Sequence, residues 1–271
     1  MNKSDKELAF LRDLYVATNW GERFAELVDE HVELPKRGSM LYVASGTGGH
    51  ALAMQERAGN DVTLICVDEN EECLELGRAK AMAVRADPEF SRSQLESLSF
   101  DDDQFDLVVG DASLVAVERL PEMIAEMVRV AAPDGTVALT LATSSSFGEF
   151  FSVYWEALRN SGIGDHEHDV ESLITELPTV SNVEAMAGRE GLDNVTSWTK
   201  IEEFDYESGA EFLNAPLISD FLLKSWLESL PESVDRARVS KEIARIIDAE
   251  RQDMNFVLSV KATLVLGRKA K

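Results

Sequence analysis

Met40-Leu41-Tyr42-Val43-Ala44-Ser45-Gly46-Thr47-Gly48-Gly49-His50-Ala51 is the stretch on which the fold turns. Met40 to Ala44 is a short apolar run that reads as a buried strand. Ser45 to Gly49 is a glycine-rich turn, and His50 to Arg57 reads as helix. Between a strand and a helix, glycine lets the chain turn tightly and lets a ligand meet backbone instead of a Cβ. A second apolar run, Val62 to Val67, ends at Asp68, 22 residues after Gly46. A carboxylate at that strand end suits the two hydroxyls of a ribose, which it accepts in charge-assisted hydrogen bonds. Each feature alone has a plainer reading, a tight connection or a helix cap; their order and context point to a nucleoside-containing ligand.

Outward from this stretch, strand and helix alternate. Glu71 to Arg85 reads as helix, a weak strand lies near Phe90 to Arg92, and Phe105 to Val109 is a further strand. A helix then carries Leu120, Ile124, Met127, Val128 and Ala131 on one face, Pro133-Asp134-Gly135 reads as a turn, and Thr136 to Leu141 as a strand. Nearly continuous apolar strands separated by helices are the mark of a parallel sheet covered on both faces. Before this core, residues 1–34 read as helix, broken at Asn19-Trp20-Gly21. After it come an aromatic helix, Phe147 to Arg159, and helices near Val170–Leu177 and Val183–Glu190, with Gly191 as a C-cap. Asn194 to Phe204 is strand-like, Leu217 to Leu230 helical, Val239, Ile243, Ile246 and Ile247 form a helical stripe, and Phe256 to Leu266 is a last strand. The helices of this half read as insertions that form a lid. Phe147, Phe150, Phe151, Tyr154 and Trp155 are either core or, with Tyr206 and Trp226, the wall of a cleft for an apolar or aromatic substrate.

Composition narrows the function. There are 26 Lys and Arg against 50 Asp and Glu, a net charge of −24, and no basic cluster longer than the Arg268-Lys269 pair with Lys271. Phosphate backbones and anionic membranes demand clustered cations, so nucleic acid and membrane surfaces are poor partners. No apolar run approaches the ~20 residues of a membrane span, and the charged N-terminus lacks a signal core. Cys66 and Cys73, the two cysteines, read as buried small hydrophobes, neither a disulfide framework nor a zinc site. A reducing cytoplasm fits.

Met40 to Ala51, Asp68, the run Leu95-Glu96-Ser97-Leu98-Ser99-Phe100-Asp101-Asp102-Asp103-Gln104-Phe105-Asp106-Leu107-Val108-Val109, and Arg129 to Gly135 together resemble the successive motifs of class I S-adenosylmethionine-dependent methyltransferases. The flavour is that of the small-molecule enzymes similar to the ubiquinone/menaquinone-biosynthesis group, over roughly residues 10–142. The resemblance implies a three-layer α/β/α doubly wound, mostly parallel seven-stranded sheet with a C-terminal antiparallel strand and a helical cap. It implies one domain over residues 1–271: N-terminal helices 1–35, cofactor-binding core 36–142, cap and substrate insertions 143–190 and 206–252, and last strands 193–205 and 254–268. It implies S-adenosyl-L-methionine as cofactor and a small-molecule methyl acceptor. Ala44, Ser45, Gly46, Thr47 and Gly48 would then bring backbone against the methionine part and ribose, Asp68 would hold the ribose hydroxyls, and Glu69 would flank the adenine. Gln94 stands where the family usually has Asp, and its amide oxygen still accepts a hydrogen bond. Leu95 would pack on the adenine, with core packing as its other reading; Gly110 and Asp111 would face the reacting end, with helix capping as the other reading of Asp111. Tyr15 and Trp20 would close the site from the N-terminal side.

Methyl transfer from a sulfonium is an in-line displacement, and a base is required only where the nucleophile must shed a proton. The sequence names no certain catalytic residue; His50, His166, His168 and Asp111 are the candidates for a base. His166-Glu167-His168 lies in an acid-flanked polar loop before a helix and is not read as a metal site. Two rival readings stay open. Gly46-Thr47-Gly48-Gly49-His50-Ala51 also satisfies the dinucleotide fingerprint of an NAD(P)-dependent oxidoreductase, although no tyrosine has a lysine four residues on. The other rival is a methyltransferase-like domain that binds without turnover.

Overall fold

Met40, Leu41, Tyr42 and Val43 are each 6% exposed or less, and a strand buried on both faces belongs inside a sheet. In the computed structural model, which describes residues 3–163, 167–228, 230–251 and 254–271, this strand is β1 (Gly38–Val43). It pairs in parallel with β2 (Val62–Asp68) on one side and β4 (Phe105–Asp111) on the other, with Val43 opposite both Val67 and Gly110. β3 (Glu89–Arg92) extends the sheet beside β2 and β5 (Ala131–Ala142) beside β4, again in parallel. With β6 (Leu192–Tyr206) and β7 (Phe256–Lys269) the seven-stranded order is β3-β2-β1-β4-β5-β7-β6, mostly parallel with one antiparallel C-terminal strand. The chain leaves β1 for β2 and β3 on one side, then crosses to β4 on the other. In open parallel sheets, ligands bind outside the carboxyl ends of the strands at such a reversal.

Helices cover the sheet for local reasons. Asn70 accepts hydrogen bonds from the Glu72 and Cys73 amides (3.0 and 3.3 Å) and so starts α4 (Glu71–Val84). In α5 (Leu120–Val130), Leu120, Met123, Ile124, Met127 and Val128 recur at helical spacing and are 3% exposed or less. They pack in one core with Val108, Val137, Leu139 and Leu141 of the strands. α3 (Gly49–Ala58) follows the glycine turn, and α8 (Val180–Arg189) adds Val183 and Ala187 to the same core.

Three expectations from the sequence need correction. Asn19-Trp20-Gly21 does not break the N-terminal helix. α1 (Asp5–Leu11), started by a Ser4–Glu7 capping box, runs through a π-helical stretch, Arg12–Gly21, into α2 (Glu22–His31). Asn and Gly are weak helix formers, but Val16 and Trp20 lie one turn apart and are 2% and 1% exposed, so burial overrides propensity. Pro133-Asp134-Gly135 is not a turn before a strand; it lies inside β5 as a bulge, where the register jumps from Phe105–Ala131 to Leu107–Thr136 and Asp134 takes φ +62°. Leu217 to Leu230 is not one helix but a π-helical stretch, Leu217–Leu222, followed by α10 (Leu223–Glu228), with Leu230 buried beyond it.

The chain divides into two compact units, one of Met1–Leu141, Val180–Thr199 and Ala262–Lys271, the other of Ala142–Thr179 and Lys200–Lys261. The second holds α6 (Gly148–Asn160), α7 (Glu167–Glu176), a short α9 (Gly209–Asn214), α10 and α11 (Arg236–Arg251). Its aromatic residues pack on one another. Phe150 stacks on Trp226 at 4.3 Å between ring centroids, and Phe212 sits edge-on to Phe256 at 4.9 Å and to Tyr206 at 5.1 Å. Phe150, Phe151 and Tyr154 are 3% exposed or less, so this helix face is core.

In the first unit, Arg129 ties down the loop before β4. It donates to Glu126 (2.7 Å), to the Phe100 and Leu98 carbonyls (2.9 Å each) and to Asp102 (2.7 Å). The Arg129 hydrogen bond holds the Glu126 carboxyl below its usual range, against the smaller opposing effect of burial. A carboxyl whose folded pKa is depressed stabilises the fold fully above its unfolded pKa and loses that contribution as pH falls toward the folded value. Glu126→Gln is therefore expected to be less stable than wild type at neutral pH. Its urea-unfolding free energy should fall less on acidification, and parallel pH profiles for the two proteins would refute the assignment.

Candidate functional site

The turn after β1 uses left-handed backbone at alternate residues: Ala44 at φ +56°, Gly46 at +56° and Gly48 at +72°. Ala44 holds this conformation despite its Cβ, at a cost of roughly 1–2 kcal/mol. The Ser45 amide donates to the Val67 carbonyl (2.9 Å), and the Gly46 amide donates to Asp68 Oδ2 (2.7 Å). Asp68 Oδ1 accepts from the Asn70 amide (3.0 Å). The ends of β1 and β2 are thus joined through one carboxylate, 5% exposed, at the position where the sequence places a ribose-binding acid.

The glycines serve different neighbours. A Cβ on Gly46 would meet the Arg12 guanidinium at 3.1–3.2 Å, so its bare face looks toward the N-terminal helix. A Cβ on Gly48 would meet the Phe90 ring at 2.8 Å, and the same ring fills the space beside Gly77. On Gly110 a Cβ would meet Met127 Sδ at 2.7 Å, so that face is covered by α5. Gly110→Ala is expected to destabilise the fold by about 1–3 kcal/mol through overpacking, measured by denaturant unfolding.

Above the ends of β1 and β4 lies a cavity of about 470 Å³. The π-helical stretch and α2 supply Arg12, Asp13, Val16, Trp20, Glu22, Glu26 and Asp29; β1 supplies Tyr42; the turn supplies Ser45, Gly46 and Thr47; Gly49 and His50 come from α3 and Lys80 from α4; Asp111 ends β4, and Ser113 and Leu114 follow it. The Trp20 indole donates to Ser113 Oγ (3.0 Å), fixing the helix over the β4 end. Asp111 accepts from the Ser113 amide (3.0 Å) and from Thr140 (3.3 Å). Thr47 donates to Asp13 (2.5 Å) and accepts from Lys80 (3.0 Å), while Lys80 also pairs with Asp13. Ser45 Oγ is buried and, among the described residues, has no hydrogen-bond partner.

Arg12 Nη1 lies 3.5 Å from Asp68. Burial opposes the guanidinium charge, but Asp68 and Asp111 beside it outweigh that and hold its pKa above the usual range. Tyr42 is pushed well above the usual phenol range by burial and then by Asp111. The Tyr42 hydroxyl is 2.9 Å from His50 Nδ1, and His50 Nε2 is 2.9 Å from Asp29 Oδ1, to which Arg57 also donates (2.5 Å).

Not every residue singled out in the sequence meets at this cavity. Ser45, Gly46, Thr47 and Asp111 line it; Ala44 and Gly48 belong to the same turn and Asp68 holds the Gly46 amide, but these three are not among its lining residues. Both oxygens of Glu69 accept from Arg119 (2.7 and 2.9 Å), which also binds Glu96. Leu95 is 3% exposed and sits in the core with Ala44, Val67 and Ala112. Gln94 is exposed, and its backbone bridges to Ser97. Trp20 lines the cavity, while Tyr15 is 55% exposed. His166 lies outside the described residues, and His168 falls within α7 rather than in a loop. Arg12, Asp13, Asp29, Tyr42 and Lys80 were not legible as site residues, because helix and strand periodicity only mark them as an exposed face or a buried strand.

Residues 40–135 match the family model described as a methyltransferase domain. A demethylmenaquinone methyltransferase of Shouchella clausii is 31% identical over 118 residues, 43% of this chain and 50% of that protein. The chain thus spans about half the length of the curated relatives it matches. The structure of the YcgJ protein of Bacillus subtilis superposes with a TM-score of 0.62 at 19% identity, covering 92% of this chain and 99% of that one. A geranyl diphosphate C-methyltransferase of Streptomyces coelicolor, solved with Mg2+, geranyl diphosphate and S-adenosyl-L-homocysteine, superposes with a TM-score of 0.52 at 11% identity over 92% of this chain and 79% of that one. Residues 40–135 are thus similar to a methyltransferase domain, and the chain shares the seven-stranded, mostly parallel fold of the solved class I methyltransferase structures.

Proposed function

We propose that this protein is an S-adenosylmethionine-dependent methyltransferase acting on a small molecule. The observation that carries the reading is the turn at one cavity wall: Ser45 and Gly46 line it, Asp68 holds the Gly46 amide, Arg12 covers the Cβ-free face of Gly46, and the buried Ser45 hydroxyl has no partner among the described residues, with Ser45, Gly46 and Asp68 within the matched residues. These residues fit the cofactor: a carboxylate for two hydroxyls, a turn without a Cβ, and a buried hydroxyl in need of a partner. When bound, S-adenosylmethionine supplies a methyl group on a sulfonium for in-line displacement.

The chain's own groups divide the work. Asp68 accepts from the ribose, and each of its oxygens, already holding one amide, has a lone pair left. Ala44, Ser45, Gly46, Thr47 and Gly48 present backbone, and Arg12 offers its charge to a ligand carboxylate at the same place. Glu69, Gln94 and Leu95 are assigned to the adenine end, and Gly110 and Asp111 to the reacting end. Asp13, Glu22, Glu26, Asp29 and Asp111 outnumber Arg12 and Lys80 around the cavity, which favours a cationic ligand centre. Val16, Trp20 and Leu114 give apolar walls that exclude water and suit an apolar or aromatic acceptor. The helical insertions outside the matched domain are assigned to acceptor choice. Among the described residues no helix is long and apolar enough to cross a membrane, and the free thiols Cys66 and Cys73 fit a reducing compartment, which we take to be the cytoplasm.

Calorimetric titration with S-adenosylmethionine, S-adenosylhomocysteine and NADH tests the reading. Binding of both adenosyl ligands is expected, with methyl transfer to a hydroxylated naphthalene of the menaquinone-precursor type. Binding of NADH alone would replace the methyltransferase with an oxidoreductase, and adenosyl binding without transfer to a broad metabolite panel would leave a binding protein.

A further inference from the structure

We propose that Tyr42, His50 and Asp29 form a proton relay that accepts the proton of a neutral protic acceptor, an alcohol, phenol or enol, at the cavity wall. The proposal rests on the methyltransferase reading and deepens it by naming the acceptor class. All three residues line the cavity, and they come from three elements: Tyr42 from β1, His50 from the first turn of α3 and Asp29 from α2.

The hydrogen bonds fix the direction of the chain. Asp29 receives Arg57 and His50 on the same oxygen, Oδ1. Burial would raise the Asp29 carboxyl, but the His50 and Arg57 contacts bring it below its usual range, so it is an acceptor only. His50 Nε2 therefore carries the hydrogen that faces Asp29. In neutral imidazole Nδ1 is then the acceptor, and the Tyr42 hydroxyl is its donor at 2.9 Å. The connectivity is hydroxyl to imidazole to carboxylate, the arrangement by which a weakly acidic hydroxyl gives up its proton to a positioned base. Around Tyr42 stand Asp111 from β4, Cys66 from β2, Arg12 from the π-helical stretch and Asp29 from α2. Asp111 and burial disfavour a standing phenolate, so Tyr42 takes a proton only as it passes its own to His50.

The balance closes. The acceptor O–H bond breaks as its proton moves to Tyr42 Oη, the Tyr42 proton moves to His50 Nδ1, and the acceptor atom bonds the arriving methyl. The electron pair of the broken carbon–sulfur bond stays on sulfur, and the positive charge leaves the sulfonium and reappears on the imidazolium facing Asp29. Asp29, with 39% of its side chain exposed, gives that proton a way to solvent.

Two readouts test the relay. Nitrogen-15 NMR of the ligand-free protein, with His50 assigned from His50→Gln, is expected to show Nε2 protonated and Nδ1 accepting in wild type, and to shift at Nδ1 in Tyr42→Phe. An Nδ1-protonated His50 in wild type overturns the relay whatever the acceptor. In kinetics with phenols that wild type methylates, Tyr42→Phe should lose about a hundredfold or more in kcat, the scale of general base catalysis, with unchanged S-adenosylmethionine affinity. The loss should vanish for 4-nitrophenol above its own ionisation, where no proton remains to be taken. An equal loss for the ionised and neutral phenol, or no loss, overturns the relay. A wild type that binds S-adenosylmethionine but methylates none of the phenols removes the acceptor class while the NMR readout still decides the hydrogen-bond order. A wild type that does not bind it sinks the methyltransferase reading instead.

Discussion

Asp68→Ala is expected to lower both the stability of the fold and the affinity of the site. The carboxylate, with 7% of its side chain exposed, accepts the Gly46 and Asn70 amides and faces the Arg12 guanidinium at 3.5 Å. Removing it leaves two backbone donors to find other partners and a largely buried cation without its counter-charge. Breaking one side of a buried pair costs about 3–5 kcal/mol. The lower end applies here because the Arg12 side chain keeps 22% exposure. Urea unfolding measures this term, and Arg12→Ala in the Asp68→Ala background should recover part of it, since the cation goes as well. Affinity for S-adenosylmethionine should drop at least tenfold, about 1.4 kcal/mol, under conditions where the variant is folded. Equal affinity of the folded variant and wild type would remove the ribose assignment and leave the fold argument standing.

Trp20→Ala carries the second large effect. The indole is 1% exposed, lies 4.9 Å from the Phe24 ring, and donates to Ser113 at the end of β4. Deleting a buried aromatic of this size costs about 3–5 kcal/mol. Because Trp20 also walls the cavity, the substitution should weaken ligand binding beyond what the stability loss explains. Trp20→Phe separates the contributions: it keeps most of the wall, removes the hydrogen bond, and is expected to cost about 1 kcal/mol, the worth of one such bond. A Trp20→Ala protein as stable as wild type would mean that the N-terminal helix does not hold its place through this residue.

Much of the fold was legible because its signals are local. Met40 to Val43 and Val62 to Val67 are apolar throughout, and a parallel strand covered on both faces needs no alternation to be recognised. The glycine turn and Asp68 lie next to those strands, so their meeting follows from short-range geometry. The aromatic run of α6 was ambiguous between core and cleft, since composition does not say what lies opposite. Phe212 and Trp226 lie opposite, with Phe256 packed on Phe212, which makes it core. The short α9 spans six residues, too few for a periodic pattern. The bulge at Pro133-Asp134-Gly135 was missed because the same residues serve a turn or a bulge, and only the pairing of β5 with β4 distinguishes them.

The sequence by itself determined the alternation of strands and helices, the glycine turn and the acid at the second strand end, because each rests on residues within one or two turns of one another. Tertiary structure alone decided that Arg12 stands against Gly46 and Asp68, that Phe90 and Met127 fill the spaces of Gly48 and Gly110, and that Tyr42, His50 and Asp29 are in line. Those contacts join residues whose own stretches give each an ordinary role, a helix face or a buried strand. Their meaning arises only when packing brings different elements within hydrogen-bonding distance.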